Sequence, residues 1–291
     1  DAETPDYGKV YISIKAKSGS NLTVATKESI VTSLKKYAVA SVTPVIIDPE
    51  TTYITLVVNF KYNNGITTKD VTTLQTNVLS KVATYNNTEL EDFTGMFRYS
   101  QLIEDINGAD TSILSNITTL KMYKYFTPTL NSSVKYTLNF NNALYNPHSG
   151  HNASAGGIIS STGFKINNDS SANEHFLDDD GAGVVRVYYL SGATRVYTDS
   201  TYGTVNYATG EVILTSAKLT SISNVDGATS TQVRVFATPS SNDVVPVRNQ
   251  VLSIDTTNSS ITGEVDGIVS GSSQAGTSYT TTSSYSGGSS Y

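Results

Sequence analysis

Gly95 to Leu120 reads GMFRYSQLIEDINGADTSILSNITTL, and this stretch sets out a helix, both of its boundaries and the start of a strand. Ser100 is placed as an N-cap, Leu102, Ile103 and Ile106 fall on one helical face, and Gly108 stands where the chain is expected to leave through left-handed backbone space. From Ile113 to Phe126 the residues turn β-branched and aromatic, the composition of a strand. A helix followed at once by a strand points to a mixed α/β unit.

Working outward, the preceding hundred residues repeat that alternation. Lys9 to Lys17 alternates Val10, Ile12 and Ile14 against Tyr11, Ser13 and Lys15, a strand with one buried face. Thr26 is expected to cap a helix carrying Ile30, Val31, Leu34 and Ala38 at three- and four-residue steps, and Pro44 to stop any continuation. Val45–Ile47 and Tyr53–Tyr62 read as strands around an Asp48-Pro49-Glu50 turn, with Asn63-Asn64-Gly65 closing the second. Thr68 is expected to cap a longer helix striped by Val71, Leu74, Val78 and Val82. That stripe lasts barely two heptads, so it reads as core against a sheet more readily than as a helix-to-helix contact between subunits. The order β-α-β-β-α-(α)-β, with right-handed crossovers, predicts an α+β domain over residues 1–128, a ferredoxin-like split βαβ arrangement with helices on one face of a mixed sheet. Thr127-Pro128-Thr129 is the expected hinge.

Beyond it the helical period disappears. Val134–Phe140, Val184–Leu190, Thr194–Thr198, Gly203–Tyr207, Glu211–Thr215 and Gln232–Thr238 read as strands, with hairpin turns at Ser191-Gly192 and Ala208-Thr209-Gly210. A small antiparallel β domain over residues 129–255 follows. Inside it, residues 141–177 form an Asn/Ser/Gly-rich excursion, a functional loop or arm suited to reaching a partner. Residues 256–291 are almost entirely Ser, Thr, Gly and Tyr, a tail too poor in apolar surface to fold alone. Either a neighbouring subunit holds it or it pairs with an edge strand of its own domain.

Composition narrows the function. A chain of 291 residues buries about three quarters of its unfolded surface when folded, enough for two domains. Only 15% of residues are charged, so Ser, Thr, Asn and the 19 Tyr must make most of the surface, as in proteins that live against neighbours. A net charge of −6 without a basic cluster argues against nucleic acid. With no cysteine, there is neither a disulfide framework nor a thiolate metal site. No run approaches the ~20 apolar residues of a membrane span, and no signal-peptide pattern opens the sequence. Asp1 without an initiating Met points to a fragment or a processed product.

The segment around Ser100, of the form FRYSxLxxxIxxxDxSIxSNxT, resembles the baseplate wedge subunits of T-even-type contractile-tailed bacteriophages, the baseplate J-like family. Pro5-Asp6-Tyr7-Gly8-Lys9-Val10-Tyr11-Ile12-Ser13-Ile14-Lys15 resembles the first strand of the same module, and Asn242-Asp243-Val244-Val245-Pro246-Val247-Arg248-Asn249-Gln250-Val251-Leu252 a later element of its C-terminal part. The resemblance implies a non-enzymatic virion protein of the tail baseplate. It implies dimers within a ring, contacts with other wedge proteins and persistence through the switch that triggers sheath contraction. No cofactor, small-molecule substrate, nucleic acid or membrane belongs to this reading.

Other chemistry is weighed on its residues. His148 and His151, three apart on a turn, form a possible metal pair, with His175, Asp178, Asp179 and Asp180 as further ligands; the plainer reading is surface histidines and a solvated acidic turn. Leu177-Asp178-Asp179-Asp180-Gly181 lacks the alternation and terminal Glu of a calcium loop. A hydrolase would draw on Glu174, His175 or the Asp178 cluster and needs a perturbed carboxylate in a cleft. Triplets such as Asn21-Leu22-Thr23 and Asn116-Ile117-Thr118 are expected by chance in so Asn/Ser/Thr-rich a chain. The alternative to the baseplate reading is a secreted or surface β-rich adhesion module that binds glycans through Tyr and Asn.

Overall fold

The computed structural model describes residues 7–16, 22–38, 41–151, 157–167, 169–225, 227–247 and 250–267. Pro5, Asp6, Lys17, Asn21, residues 152–156 of the excursion, Arg248, Asn249 and residues 268–291 of the tail lie outside them.

The chain opens with β1 (Lys9–Ser13), α1 (Val24–Lys35) and β2 (Thr43–Ile47). The two strands pair in parallel, Lys9 opposite Thr43 through Ser13 opposite Ile47, and form a sheet of their own. Thr23, not Thr26, caps α1: its hydroxyl accepts the Thr26 amide at 3.2 Å. Pro44 lies inside β2, an edge strand where its missing N–H is tolerated.

Asp48-Pro49 leads into β3 (Glu50–Tyr62), α2 (Val71–Tyr85), a π-turn at Asn86–Leu90, α3 (Tyr99–Asn107) and β4 (Ile113–Phe126). Strict alternation along β3 turns Ile54, Leu56, Val58 and Phe60 inward, and Leu74, Val78 and Val82 of α2 are buried in the same core. The apolar stripe of α2 is therefore core. Asp70, not Thr68, caps α2 by accepting the Thr73 amide at 2.9 Å.

Two features of the opening stretch differ from expectation. Helix α3 begins at Tyr99, and its N-terminal amide is satisfied by Asp243, at 2.9 Å, rather than by Ser100. Gly108 has φ −80°, ordinary right-handed space, so the helix ends without a left-handed residue.

The remaining strands are β5 (Val134–Asn139), β6 (Ile159–Ser161), β7 (Phe164–Ile166), β8 (His175–Asp179), β9 (Val184–Ser191), β10 (Thr194–Asn206), β11 (Glu211–Ala217), β12 (Leu219–Ile222), β13 (Val233–Ala237), β14 (Gln250–Ile254) and β15 (Ser260–Val265). Seven of them form one sheet in the order β12-β7-β8-β9-β10-β11-β5. The segments expected as separate strands at 194–198 and 203–207 are one strand, β10, with register shifts between Tyr197 and Gly203. At the β10–β11 turn, Gly210 has φ 73°, and a Cβ there would stand 2.2 Å from the Asn142 carbonyl oxygen, so both conformation and space require glycine.

A second sheet runs β14-β3-β4-β13-β6, with β15 also on β3. Strands from residues 159–161, 233–237 and 250–265 thus complete the sheet begun by β3 and β4, and sheet membership does not follow the chain at residue 128. The β14 and β15 segments lie end to end, both parallel to β3: Gln250–Ile254 against Glu50–Ile54, and Ser260–Val265 against Val57–Tyr62. The first residues of the supposed tail therefore pair with an edge strand of the same chain.

The fold is mixed α and β, mostly β. The single mixed sheet of a ferredoxin-like domain is not formed, because β1 and β2 stay apart from β3 and β4. One continuous apolar core runs from Ile54 to Ile254 between the two large sheets and under α2 and α3, and it takes in no residue of β1, α1 or β2.

Candidate interaction surfaces

The β1-α1-β2 unit is unusual for what it fails to bury. No residue of α1 and none of β1 is buried, and Pro44 is the one buried position of β2. Val24 is 70% exposed and Tyr37, just past α1, is 89% exposed. Between α1 and β2 lies a groove of about 520 Å³ lined by Val24, Val31, Pro44, Val45 and Ile46 with Lys27 and Glu28 beside them. Exposed apolar groups beside such a groove are the usual mark of a contact surface. Ion pairs attach the unit to its surroundings: Lys15 reaches Glu91 at 3.2 Å, and Lys27 reaches Asp48 at 2.6 Å.

A second surface is the outward face of the sheet holding β3 and β4. Pairing sets Tyr53 beside Tyr123, Val57 beside Thr119 and Asn59 beside Ile117. At one end Tyr53 and Tyr123 stack at 4.9 Å, Phe236 lies 5.3 Å from Tyr123, and the Arg234 guanidinium sits 5.6 Å above the Tyr123 ring. The Tyr123 hydroxyl donates to Asp255 at 2.6 Å, and burial together with that carboxylate pushes Tyr123 far above the ordinary phenol range. Towards the other end the face is Val57, Asn59, Thr119 and Ile117, the last 71% exposed. Tyr123 is itself buried, so the exposed part of this face is Val57, Asn59, Thr119 and Ile117 with Tyr125 towards the aromatic end, the mixed apolar, hydroxyl and amide exterior expected of a protein held by neighbours. The pairing of Tyr53, Tyr123 and Tyr125 was readable from their odd-numbered spacing on two strands, but only once the register was known.

The histidines and acidic residues do not gather into one site. Residues 175–179 form strand β8 rather than a solvated turn, and alternation sends His175 and Asp179 to one face and Asp178 to the other. Asp178, fully buried, accepts from Arg186 Nε at 2.9 Å, Arg195 Nη1 at 2.8 Å and the Tyr197 hydroxyl at 2.8 Å. The two guanidiniums lie over Tyr197 and Tyr188, at 4.3 and 4.6 Å. Asp179 accepts from the Ile159 amide at 2.8 Å, the Gly181 amide at 3.2 Å and the Tyr207 hydroxyl, tying β6 of one sheet to β8 and the β10–β11 turn of the other. Asp180 accepts the Ala182 and Val184 amides. His175, also buried, contacts the Asn173 carbonyl and the Thr198 hydroxyl, and burial lowers its pKa against the opposing pull of that carbonyl and of Asp169. Glu174 is exposed. These carboxylates are occupied as structural acceptors. Among the described residues, no group of three or more His, Cys, Asp or Glu is placed to hold a metal ion. His148 and His151 do meet, on a surface turn.

Comparison with known proteins falls on the same division of the chain. Residues 1–47 match the family model described as baseplate structural protein gp6, C-terminal domain I, and residues 50–125 match gp6 C-terminal domain III. The first 125 residues are thus similar to gp6-type baseplate domains. Over 139 residues, 47% of this chain, the sequence is 28% identical to the baseplate wedge protein gp6 of Enterobacteria phage T4, of which it covers 21%. The chain thus spans about a fifth of the length of that curated relative. The gp6 similarity supports a location in the tail baseplate of a phage virion, and it does not favour the glycan-adhesion alternative. The boundary between the two family domains, at Asp48-Pro49, is where the small parallel sheet ends and the large sheet begins. That is the physical reason a single ferredoxin-like sheet does not form.

Proposed function

We propose that this chain is a wedge subunit that self-associates, as dimers within a ring, contacts other wedge proteins and holds the baseplate together through the switch that accompanies sheath contraction. The observation that carries the reading is the β1-α1-β2 unit. It matches a family-defined domain, and among the described residues its apolar groups join no core, which suits cover by a second molecule. Ring closure asks for at least one heterologous contact besides an isologous one, and the Tyr/Thr/Ile face of the β3–β4 sheet offers a surface distinct from the groove. The compact body from Ile54 to Ile254 suits the part that moves as a rigid unit while other contacts re-pack. In this reading the chain has three parts: residues 1–128, residues 129–255, and a tail from 256 that begins as β15. It uses no catalytic residue, cofactor, nucleic acid or membrane.

The test is sedimentation velocity on the full chain and on a Val24→Glu/Val31→Glu variant, with circular dichroism to establish that both fold. Self-association of the unaltered chain at about 100 μM and a monomeric, folded variant are the expected results; lasting contacts of this class bury more than about 1,200 Å². A chain that stays monomeric at that concentration, or a variant that associates equally well, overturns the proposal.

A further inference from the structure

The His148–His151 pair has the dimensions of half a metal site. His148 Nε2 and His151 Nδ1 are 3.3 Å apart, with rings 4.9 Å between centroids and 83° between planes. Two imidazole nitrogens bound to one tetrahedral ion at about 2.0–2.1 Å are separated by about 3.3–3.4 Å, the same spacing.

The surrounding atoms hold both rings in place. Nδ1 of His148 donates to the Ser149 carbonyl at 3.2 Å, which fixes the tautomer and leaves the Nε2 lone pair facing His151. A ligating histidine is commonly held by such a second hydrogen bond to a carbonyl. The ring of Tyr145 meets that of His151 edge-on at 5.4 Å. The turn itself is anchored on the next hairpin: Gly150 N–H donates to the Gly181 carbonyl at 2.9 Å, Asn146 Nδ2 donates to the same oxygen at 3.1 Å, and His151 N–H donates to the His148 carbonyl at 3.1 Å.

Among the described residues of one chain the ligand set stops at two. The neighbouring Asp179 and Asp180 are committed to amides and to Tyr207, as described above. The sequence has three histidines and no cysteine, and the third, His175, is buried in β8. The pair stands on an exposed turn, so the remaining coordination positions face outward.

We infer that His148 and His151 are one half of a divalent transition-metal site of the zinc class, completed by the same pair from a second copy of this chain. Doubling the pair across a twofold axis supplies four neutral imidazoles, a full tetrahedral set, and uses an isologous contact. The metal takes the place of the proton that His151 Nδ1 shares with His148 Nε2; His151 changes tautomer, losing that proton to solvent and taking one up at Nε2, so both rings stay neutral. This inference stands independently of the groove-mediated contact proposed above, because it concerns a different surface.

The full chain, freed of metal with EDTA, is titrated with Co²⁺ and separately with Zn²⁺, and followed by visible absorption and sedimentation velocity. Expected are the intense absorption of tetrahedral cobalt, saturation at one metal per two chains, a rise in dimer that tracks saturation, and reversal by EDTA. A His148→Ala/His151→Ala variant should keep its melting temperature, since the turn is on the surface, and lose metal affinity by about 100-fold or more. Absence of binding at submillimolar metal, binding of one metal per monomer without dimerisation, or undiminished binding by the variant would overturn the inference.

Discussion

The β1-α1-β2 unit and the body that follows Asp48-Pro49 differ in how far each buries its own apolar residues. In the body long strands such as β3 have an inward row, and Phe60, Leu74, Val78 and Leu102 are wholly withdrawn from water. In the small unit the same residue types, Val24, Val31 and Ile46, line an open groove. Apolar area removed from water is the main favourable term in folding, so the body holds its own free energy while the small unit leaves much of its share to be realised in contact with something else.

A paired truncation tests that contrast most strongly. Phe60→Ala should cost about 3–5 kcal/mol, the range for emptying a packed aromatic site, whereas Val31→Ala in α1 should cost less than about 1 kcal/mol in the isolated chain. Urea unfolding of both variants decides it, and comparable losses would mean that the small unit has a core of its own. Acid should then separate the two regions more gently. His175 is held neutral by burial in the body, with its pKa below the ordinary 6.5, so the unfolded chain takes up a proton more readily than the folded one. Its contribution is present above pH 6.5 and is lost as pH falls below that value. The stability of the body measured from pH 7 to pH 5 should decline and the decline should flatten in a His175→Asn variant, while the small unit, which has no histidine, should show no such slope. The smallest effect is expected at the helix terminus. Asp243→Ala removes the acceptor for the Tyr99 amide and the partner of Arg98, at about 1 kcal/mol, and should raise amide exchange in the first turn of α3 ahead of the rest of the body.

Elements defined by their own periodicity were legible from sequence. The strands at Val184 and Ile113, the α2 stripe and the hairpin at Ser191-Gly192 depend on neighbours within a few residues, and the fold places them as read. What was not legible depends on partners far along the chain. Ser100 is a sound local cap, but Asp243 lies 144 residues away and takes the amide instead, and no window of sequence contains both. The acidic run at 178–180 looks like a solvated turn until Arg186, Arg195 and Tyr207 are brought against it by pairing of β8 with β9, of β9 with β10, and by the β10–β11 turn. Three-residue strands such as β6 and β7 carry no period at all, and Gln232–Thr238 was readable as a strand but not as a partner of β4. The candidate surfaces were legible in kind, a hydroxyl- and amide-rich exterior with abundant Tyr, but not in place. Which Tyr and Ile face outward is fixed by register, and the groove beside α1 arises from a core that stops short.

The parallel return of β14 and β15 onto β3 also governs how this protein is made. Synthesis delivers β3 near residue 50, but the segments that close its outer edge emerge only some two hundred residues later, at Gln250 and Ser260. Until then a nascent chain carries a long, apolar-faced strand with one row of amides and carbonyls unpaired, an invitation to stray pairing with other chains on crowded ribosomes. A protein cut short before residue 250 would therefore leave its first large strand permanently open, and its hazard would be precipitation rather than a merely weakened fold.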